Sequence, residues 1–206
     1  MVVDFGLGNL NSVARAVSYL GATPVISSDP RHLDDIGRAI LPGVGAFGTA
    51  MDNLDRLGLI GPLQRFAAAG NPLLGICLGM QLFMEESDEG ELRQGLGLIP
   101  GRVERLPESR SRNLKVPHVG WSGLEKADSE WSGSILDGLA FGDALYFVHS
   151  YHVVPENTAN ILAYTTYGDC RYCSVIAQGA VVGVQAHPEK SGNSGLRVLR
   201  NFLQFS

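Results

Sequence analysis

The chain has too little cysteine for a stapled fold: three residues, Cys77, Cys170 and Cys173, in 206. They cannot all pair with one another, and a chain of this length buries a core without covalent help, so a reducing compartment is expected. No apolar run approaches the roughly 18 residues of a membrane-spanning helix, and the start has no basic segment leading into an apolar stretch. A cytoplasmic protein with no membrane partner is the expectation. Positive charge is not in excess either. A net charge of -5 gives nucleic acid no electrostatic reason to bind. The 18% charged and 45% apolar residues suit a compact protein and argue against extensive disorder. Internal repeats, low-complexity tracts and linkers are missing, so one domain over residues 1–206 is expected.

What is present is a repeated unit. Short apolar segments at Val2-Val3, Thr23 to Ile26, Ala39 to Leu41 and Leu73 to Ile76 are each followed by a Gly or Pro turn. Helical stretches at 11–20, 46–57 and 60–69 lie between them, the pattern of crossover units on a parallel sheet. From about Gly95 the pattern changes. Residues 146–154, 161–167, 172–178 and 180–185 read as strands joined by tight turns, with Gln178-Gly179 a hairpin, and 195–204 as a closing helix. The expected class is α/β, with a mainly parallel central sheet, helices on both faces and an added antiparallel region in the C-terminal half. Ligands of open α/β sheets sit at the carboxyl ends of the strands.

The most informative residue is Cys77, in Gly75-Ile76-Cys77-Leu78-Gly79 at a strand-to-helix turn. Glycines two residues either side are expected to relieve the strain of a sharp turn that exposes the sulfur, and the helix start favours a thiolate. His187-Pro188-Glu189 supplies a base and a carboxylate to orient it. Pro188 pushes His187 into extended geometry, where residues two apart project to one side. Cys77, His187 and Glu189 are thus the candidate catalytic set. Gly43-Val44-Gly45-Ala46-Phe47-Gly48 has the spacing of a dinucleotide fingerprint, but Pro42 precedes it and Ala67-Ala68-Ala69-Gly70 stands where a ribose-binding acid belongs. Beside a nucleophile, such a backbone can instead turn amides toward an oxyanion. Cys170-Arg171-Tyr172-Cys173 lacks a second ligand pair, so neither metal nor cofactor is expected. Arg102, Arg105, Arg110, Arg112 and Lys115, interrupted by Glu104 and Glu108, read as a solvated loop.

These motifs resemble the class I glutamine amidotransferases with a Cys-His-Glu triad. Within that family, Asp4-Phe5-Gly6-Leu7-Gly8-Asn9 and Pro117-His118-Val119-Gly120-Trp121 are similar to the glutaminase subunits of imidazole glycerol phosphate synthase, in histidine biosynthesis. The resemblance implies a three-layer glutaminase fold, L-glutamine as substrate and a thioester on Cys77. It implies an oxyanion site from the backbone of Gly43, Val44 and Leu78, and glutamine contacts from Gly45, Gln81, Ser150 and Tyr151. It also implies a heterodimer with a (β/α)8-barrel cyclase subunit that receives ammonia and raises activity, with Asn9, His118, Trp121, Tyr146 and Lys190 at the interface. Three positions depart from the family pattern: Ser122 for a usual Asn, Ala186 for Phe and Ser150 for Thr. The alternatives are the glutaminase of another class I enzyme, such as the pyridoxal phosphate synthase type, a stand-alone cysteine hydrolase, and a pseudo-glutaminase that only binds.

Overall fold

The computed structural model describes residues 1–108, 115–127 and 130–205. Arg110 and Arg112 of the basic stretch lie outside these residues, while Arg102 and Arg105 pair with Glu104 and Glu108. The first half runs β1 (Val2–Val3), α1 (Leu10–Tyr19), β2 (Ile26–Ser27), β3 (Ala39–Gly43), α2 (Phe47–Arg56), α3 (Ile60–Ala68), β4 (Leu73–Cys77) and α4 (Leu78–Gln81). The second half adds β5 (Glu86–Ser87), β6 (Arg93–Gln94), β7 (Gly101–Arg105), β8 (His118–Gly123), β9 (Glu125–Lys126) and β10 (Ala144–His149). It ends with β11 (Tyr151–Pro155), β12 (Ile161–Tyr167), β13 (Cys170–Gln178), β14 (Val181–Val184) and α5 (Gly192–Gln204).

The main sheet has the order β2-β1-β3-β4-β14-β13-β11-β7-β5-β6, with β12 and β9 extending from β13. From β2 to β14 the pairing is parallel, so β1, β3, β4 and β14 all end at one edge. From β14 outward it turns antiparallel through β13 and β11, returning to parallel only between β7 and β5. Strands β3 and β4 are buried at every position, as strands covered on both faces require. Alternate residues feed two cores. Leu41 and Leu73 pack with Phe47, Leu54 and Leu63 of α2 and α3, while Ile40 and Leu74 pack with Val13 and Val17 of α1 and Val198 and Phe202 of α5.

Several expectations shift. The second strand is Ile26–Ser27, not residues 23–26. The single strand expected over 146–154 is two, broken at Ser150: β10 pairs with β8 in a separate antiparallel ribbon, and β11 joins the main sheet. The turn at Gly179 closes the β13–β14 hairpin, with a positive φ of 58° and Gln178 opposite Val181. Strands β5 to β9 had no counterpart in the reading of the sequence.

Candidate active site

Cys77 ends β4 and caps α4 with φ 53° and ψ -110°, the one positive φ outside glycine among the described residues. The strain of the turn therefore sits on the cysteine itself, at a cost of about 1–3 kcal/mol. Gly75 and Gly79 do not relieve it by conformation, since neither has positive φ. Their service is close approach: a Cβ at Gly75 would lie 2.6 Å from the Met80 nitrogen, and one at Gly79 would fall on the Leu41 carbonyl oxygen. With no side chain at either point, α4 lies directly on β3 and β4.

β14 runs beside β4 in parallel register, so His187, just beyond its end, comes to the same edge as Cys77. His187 Nδ1 lies 2.9 Å from Glu189 Oε1, with the two side chains 2% and 1% exposed. The carboxylate accepts the Nδ1 hydrogen, so in the neutral ring Nε2 is a lone-pair acceptor. Nε2 is buried and makes no hydrogen bond among the described residues. Burial alone would favour the neutral ring, but the neighbouring Cys77 and the bond to Glu189 outweigh it and lift the His187 pKa to about 9. The Cys77 sulfur is thus close enough to act on the ring electrostatically, although no bond of ordinary geometry reaches Nε2. Its own contacts are the Val148 carbonyl at 3.9 Å and Gln185 Nε2 at 3.6 Å.

Cys77 opens into a cleft of about 390 Å³ whose walls include Val44, Gly45, Leu78, Gln81, Glu89, Ser150 and Tyr151. Gly43 is the register partner of Cys77, and Gly45 takes a φ of 113°, so the loop after β3 stands beside Cys77. Gln81 Nε2 donates to the Tyr151 carbonyl at 2.8 Å and to Gln185 Oε1 at 3.2 Å. Both amide hydrogens are thereby used, which leaves the Gln81 oxygen to meet a ligand. The chain break at Ser150 lets β10 and β11 diverge around the cleft.

Three groups at the site were missed from sequence. Glu89 lines the cleft and accepts from the Phe47 amide at 2.7 Å, at the start of α2. Nothing in a lone loop carboxylate announces this. His149 also lines the cleft, and the fully buried Gln185 holds the sulfur. Gln185 lies two residues before His187, and its place at the strand end was a usable signal.

The interface candidates divide. Trp121 is 57% exposed, opposite Tyr146 in the β8–β10 ribbon with ring centroids 6.0 Å apart, and Lys190 Nζ lies 6.0 Å from the Tyr146 ring. The Tyr146 carbonyl also accepts from the His187 amide at 2.8 Å, tying the ribbon to the loop that carries His187 and Glu189. Asn9 sits at the start of α1 in the loop against Pro42. His118 is the correction: at 1% exposure it lies inside, stacked between Phe147 and Tyr167, so its side chain cannot meet a partner directly. Among the described residues no group of His, Cys, Asp and Glu could hold a metal ion, and no helix is long and apolar enough to cross a membrane.

A cysteine on a strained strand-to-helix turn, a buried imidazole bound to a carboxylate, and a backbone loop beside the sulfur together suit acyl transfer through a thioester. The glutamine amidotransferase class-I family model matches residues 1–205. The imidazole glycerol phosphate synthase subunit HisH of Methanosarcina acetivorans is 46% identical over 207 residues, covering 99% of this chain and 97% of that one. The subunit HisH of Aquifex aeolicus is 46% identical over 204 residues, covering 98% and 94%. A crystal structure of a glutamine amidotransferase superposes with a TM-score of 0.75 at 22% identity, covering 99% and 97%. The structure of PurLQS from Thermotoga maritima gives 0.75 at 18% identity, covering 99% and 96%. This chain belongs to the class I glutamine amidotransferase family.

Proposed function

We propose that the chain is the glutaminase subunit of imidazole glycerol phosphate synthase, hydrolysing L-glutamine to glutamate and ammonia through a γ-glutamyl thioester on Cys77. The observation that carries this reading is the buried His187–Glu189 pair, with Nε2 unpartnered at the strand edge that holds Cys77. Cys77 Sγ attacks the carboxamide carbon with the proton it shares with His187 already on Nε2, as the raised His187 pKa requires. The oxyanion forms against the backbone amides of the Gly43–Val44 loop and of Leu78, each donor worth about 2.7–4 kcal/mol in such sites. The intermediate collapses as His187 returns the proton to the departing nitrogen, and ammonia leaves. A water, deprotonated by His187, then attacks the thioester, and the sulfur leaves to restore Cys77 beside the protonated ring. Glu189 holds the ring in the tautomer that keeps Nε2 toward sulfur.

The substrate is a zwitterion, and Glu89 is the carboxylate in the cleft wall suited to its α-ammonium. Gln81, Ser150 and Tyr151 serve the rest of the amino-acid end. The partner is a (β/α)8-barrel cyclase subunit that consumes the ammonia. The β8–β10 ribbon supports this, because its outward face carries exposed Val119 and Trp121 while its Val148 lines the cleft. A soluble chain working in the cytoplasm fits that role.

The test is glutamine hydrolysis with and without the cyclase subunit, beside ammonia-dependent and glutamine-dependent synthesis by the complex. The expected result is low turnover alone, a rise on partner addition, and a Cys77→Ala complex that keeps only ammonia-dependent synthesis. High, partner-independent turnover would favour a stand-alone hydrolase, and loss of both syntheses would overturn the assigned role of Cys77.

A further inference from the structure

His118, Tyr172 and His149 form a buried polar group that the triad chemistry leaves unused. The Tyr172 hydroxyl, fully inside the core on β13, lies 2.9 Å from His118 Nδ1 and 3.1 Å from His149 Nε2. His118 Nε2 meets Ser122 Oγ at 3.0 Å, and His149 Nδ1 meets the Tyr151 carbonyl at 2.9 Å.

The directions of these bonds follow from one end. A carbonyl only accepts, so His149 Nδ1 carries the hydrogen. Burial holds both rings neutral, pushing His118 down to about 4 and His149 down to about 3. A neutral ring has a single N–H, so His149 Nε2 accepts and the Tyr172 hydroxyl donates to it. The Tyr172 oxygen then accepts from His118 Nδ1, and His118 Nε2 accepts from Ser122. Every proton in the chain has one place.

Three buried groups could satisfy one another with no bearing on chemistry. What separates this set from ordinary core polarity is where it ends. The Tyr151 carbonyl that receives His149 is the same oxygen that receives Gln81 Nε2 at 2.8 Å in the cleft wall. The other end is Ser122, beside exposed Trp121 on the ribbon. Gln81 in turn donates to Gln185, which donates to Cys77 Sγ.

We propose that Tyr172 is a positioning residue for the glutamine cleft, acting through His149 to hold the Tyr151 carbonyl and hence Gln81 with its amide oxygen turned to the substrate. The inference rests on the glutaminase reading above. Removing the hydroxyl strands His118 Nδ1 and His149 Nε2, and it leaves the His149 ring, the donor to the Tyr151 carbonyl, without the bond that fixes its tautomer and orientation, a change that substrate and transition state feel alike.

The experiment is steady-state glutamine hydrolysis by wild type and Tyr172→Phe, each saturated with the cyclase subunit. The expected result is a KM for glutamine raised about tenfold with kcat within about twofold, and ammonia-dependent synthesis unchanged. A protein merely destabilised would lose active fraction, and therefore kcat, while keeping KM. Unchanged KM in an active wild-type background overturns the inference alone, as does a loss confined to kcat; a wild type that never hydrolyses glutamine removes the glutaminase reading and this inference with it. An independent measurement covers a variant that fails to fold. Nitrogen NMR of histidine-labelled wild type at neutral pH should find His118 and His149 both protonated at Nδ1, and an Nε2–H ring at either position overturns the proposed chain.

Discussion

Gly75 of β4 and Gly183 of β14 are register partners, and Met80 of α4 lies over both. That pair of bare positions lets α4 sit flat on two adjacent strands, whose parallel register sets Cys77 and His187 at the same edge. The two glycines are not equivalent. A Cβ at Gly75 would meet the Met80 backbone nitrogen at 2.6 Å, whereas at Gly183 the 2.6 Å neighbour is the Met80 side chain at Cγ. Backbone cannot yield where a flexible thioether can. Gly75→Ala should cost about 3 kcal/mol and Gly183→Ala about 1 kcal/mol in urea unfolding. Equal costs would mean that the helix shifts as a body.

Cys77 carries its own strain, and the nucleophilic role proposed for it is a reason for a side chain at this position. At φ 53° a Cβ is disfavoured whatever follows it. Cys77→Gly should therefore be more stable than Cys77→Ala by about 1 kcal/mol, with glutamine hydrolysis lost in both. Thermal unfolding of the two inactive variants checks it. If alanine proves the more stable, the turn is less strained than its dihedral indicates.

The raised His187 pKa contributes its own pH dependence to stability. Its folded value, about 9, lies above the ordinary 6.5. The stabilisation is therefore fully present below about pH 6.5 and is lost as pH rises toward 9 and beyond, with an upper bound of about 3 kcal/mol. Comparing wild type with His187→Gln cancels the titration of other groups. The stability difference between the two proteins should fall in favour of the variant from pH 6 to pH 9.5, measured by urea midpoints at each pH. A flat difference would show that the ring is not held protonated.

How much of this was legible in advance depended on what each signal encodes. The parallel strands read clearly because burial on both faces leaves uninterrupted apolar runs at Ala39 to Leu41 and Leu73 to Ile76. The break at Ser150 did not, since residues 146–154 keep strand-like composition straight through it and only the pairing partners change. Strands β5 and β6 are two residues each, too short for any periodicity to register. The side of His118 was legible and was missed. Residues three apart on a strand face opposite ways, so an outward Trp121 already required an inward His118. The role of Gly75 and Gly79 was misread for a different reason: sequence marks a glycine, but only packing distinguishes conformational freedom from close approach.

Glu89 tests whether the cleft takes an amino acid by its ammonium group. Glu89→Gln keeps an oxygen for the Phe47 amide, so the start of α2 should remain intact, while the charge is removed. Losing a charge-assisted bond of about 1.5–3 kcal/mol to a group far from the reacting amide raises KM for glutamine roughly 10- to 100-fold and leaves kcat nearly unchanged. Steady-state kinetics of the variant in complex with the cyclase subunit decides the matter. A fall in kcat at constant KM would move Glu89 from binding to chemistry.

Trp121 tests the ribbon as the docking face. Its ring is more than half exposed and contacts Tyr146 edge-on, so truncation removes little from the isolated fold. An exposed tryptophan beside a tyrosine and a lysine has the composition of an interface anchor, where truncation typically costs 2 kcal/mol or more, roughly 30-fold in Kd. Trp121→Ala should weaken binding of the cyclase subunit by about that factor in titration calorimetry, with the unfolding midpoint of the free chain unchanged. The ribbon also holds the His187 amide through Tyr146, so partner-stimulated glutamine hydrolysis should recover when the variant is saturated with partner. Unaltered affinity would place the docking face elsewhere, and affinity lost together with stability would make Trp121 part of the fold.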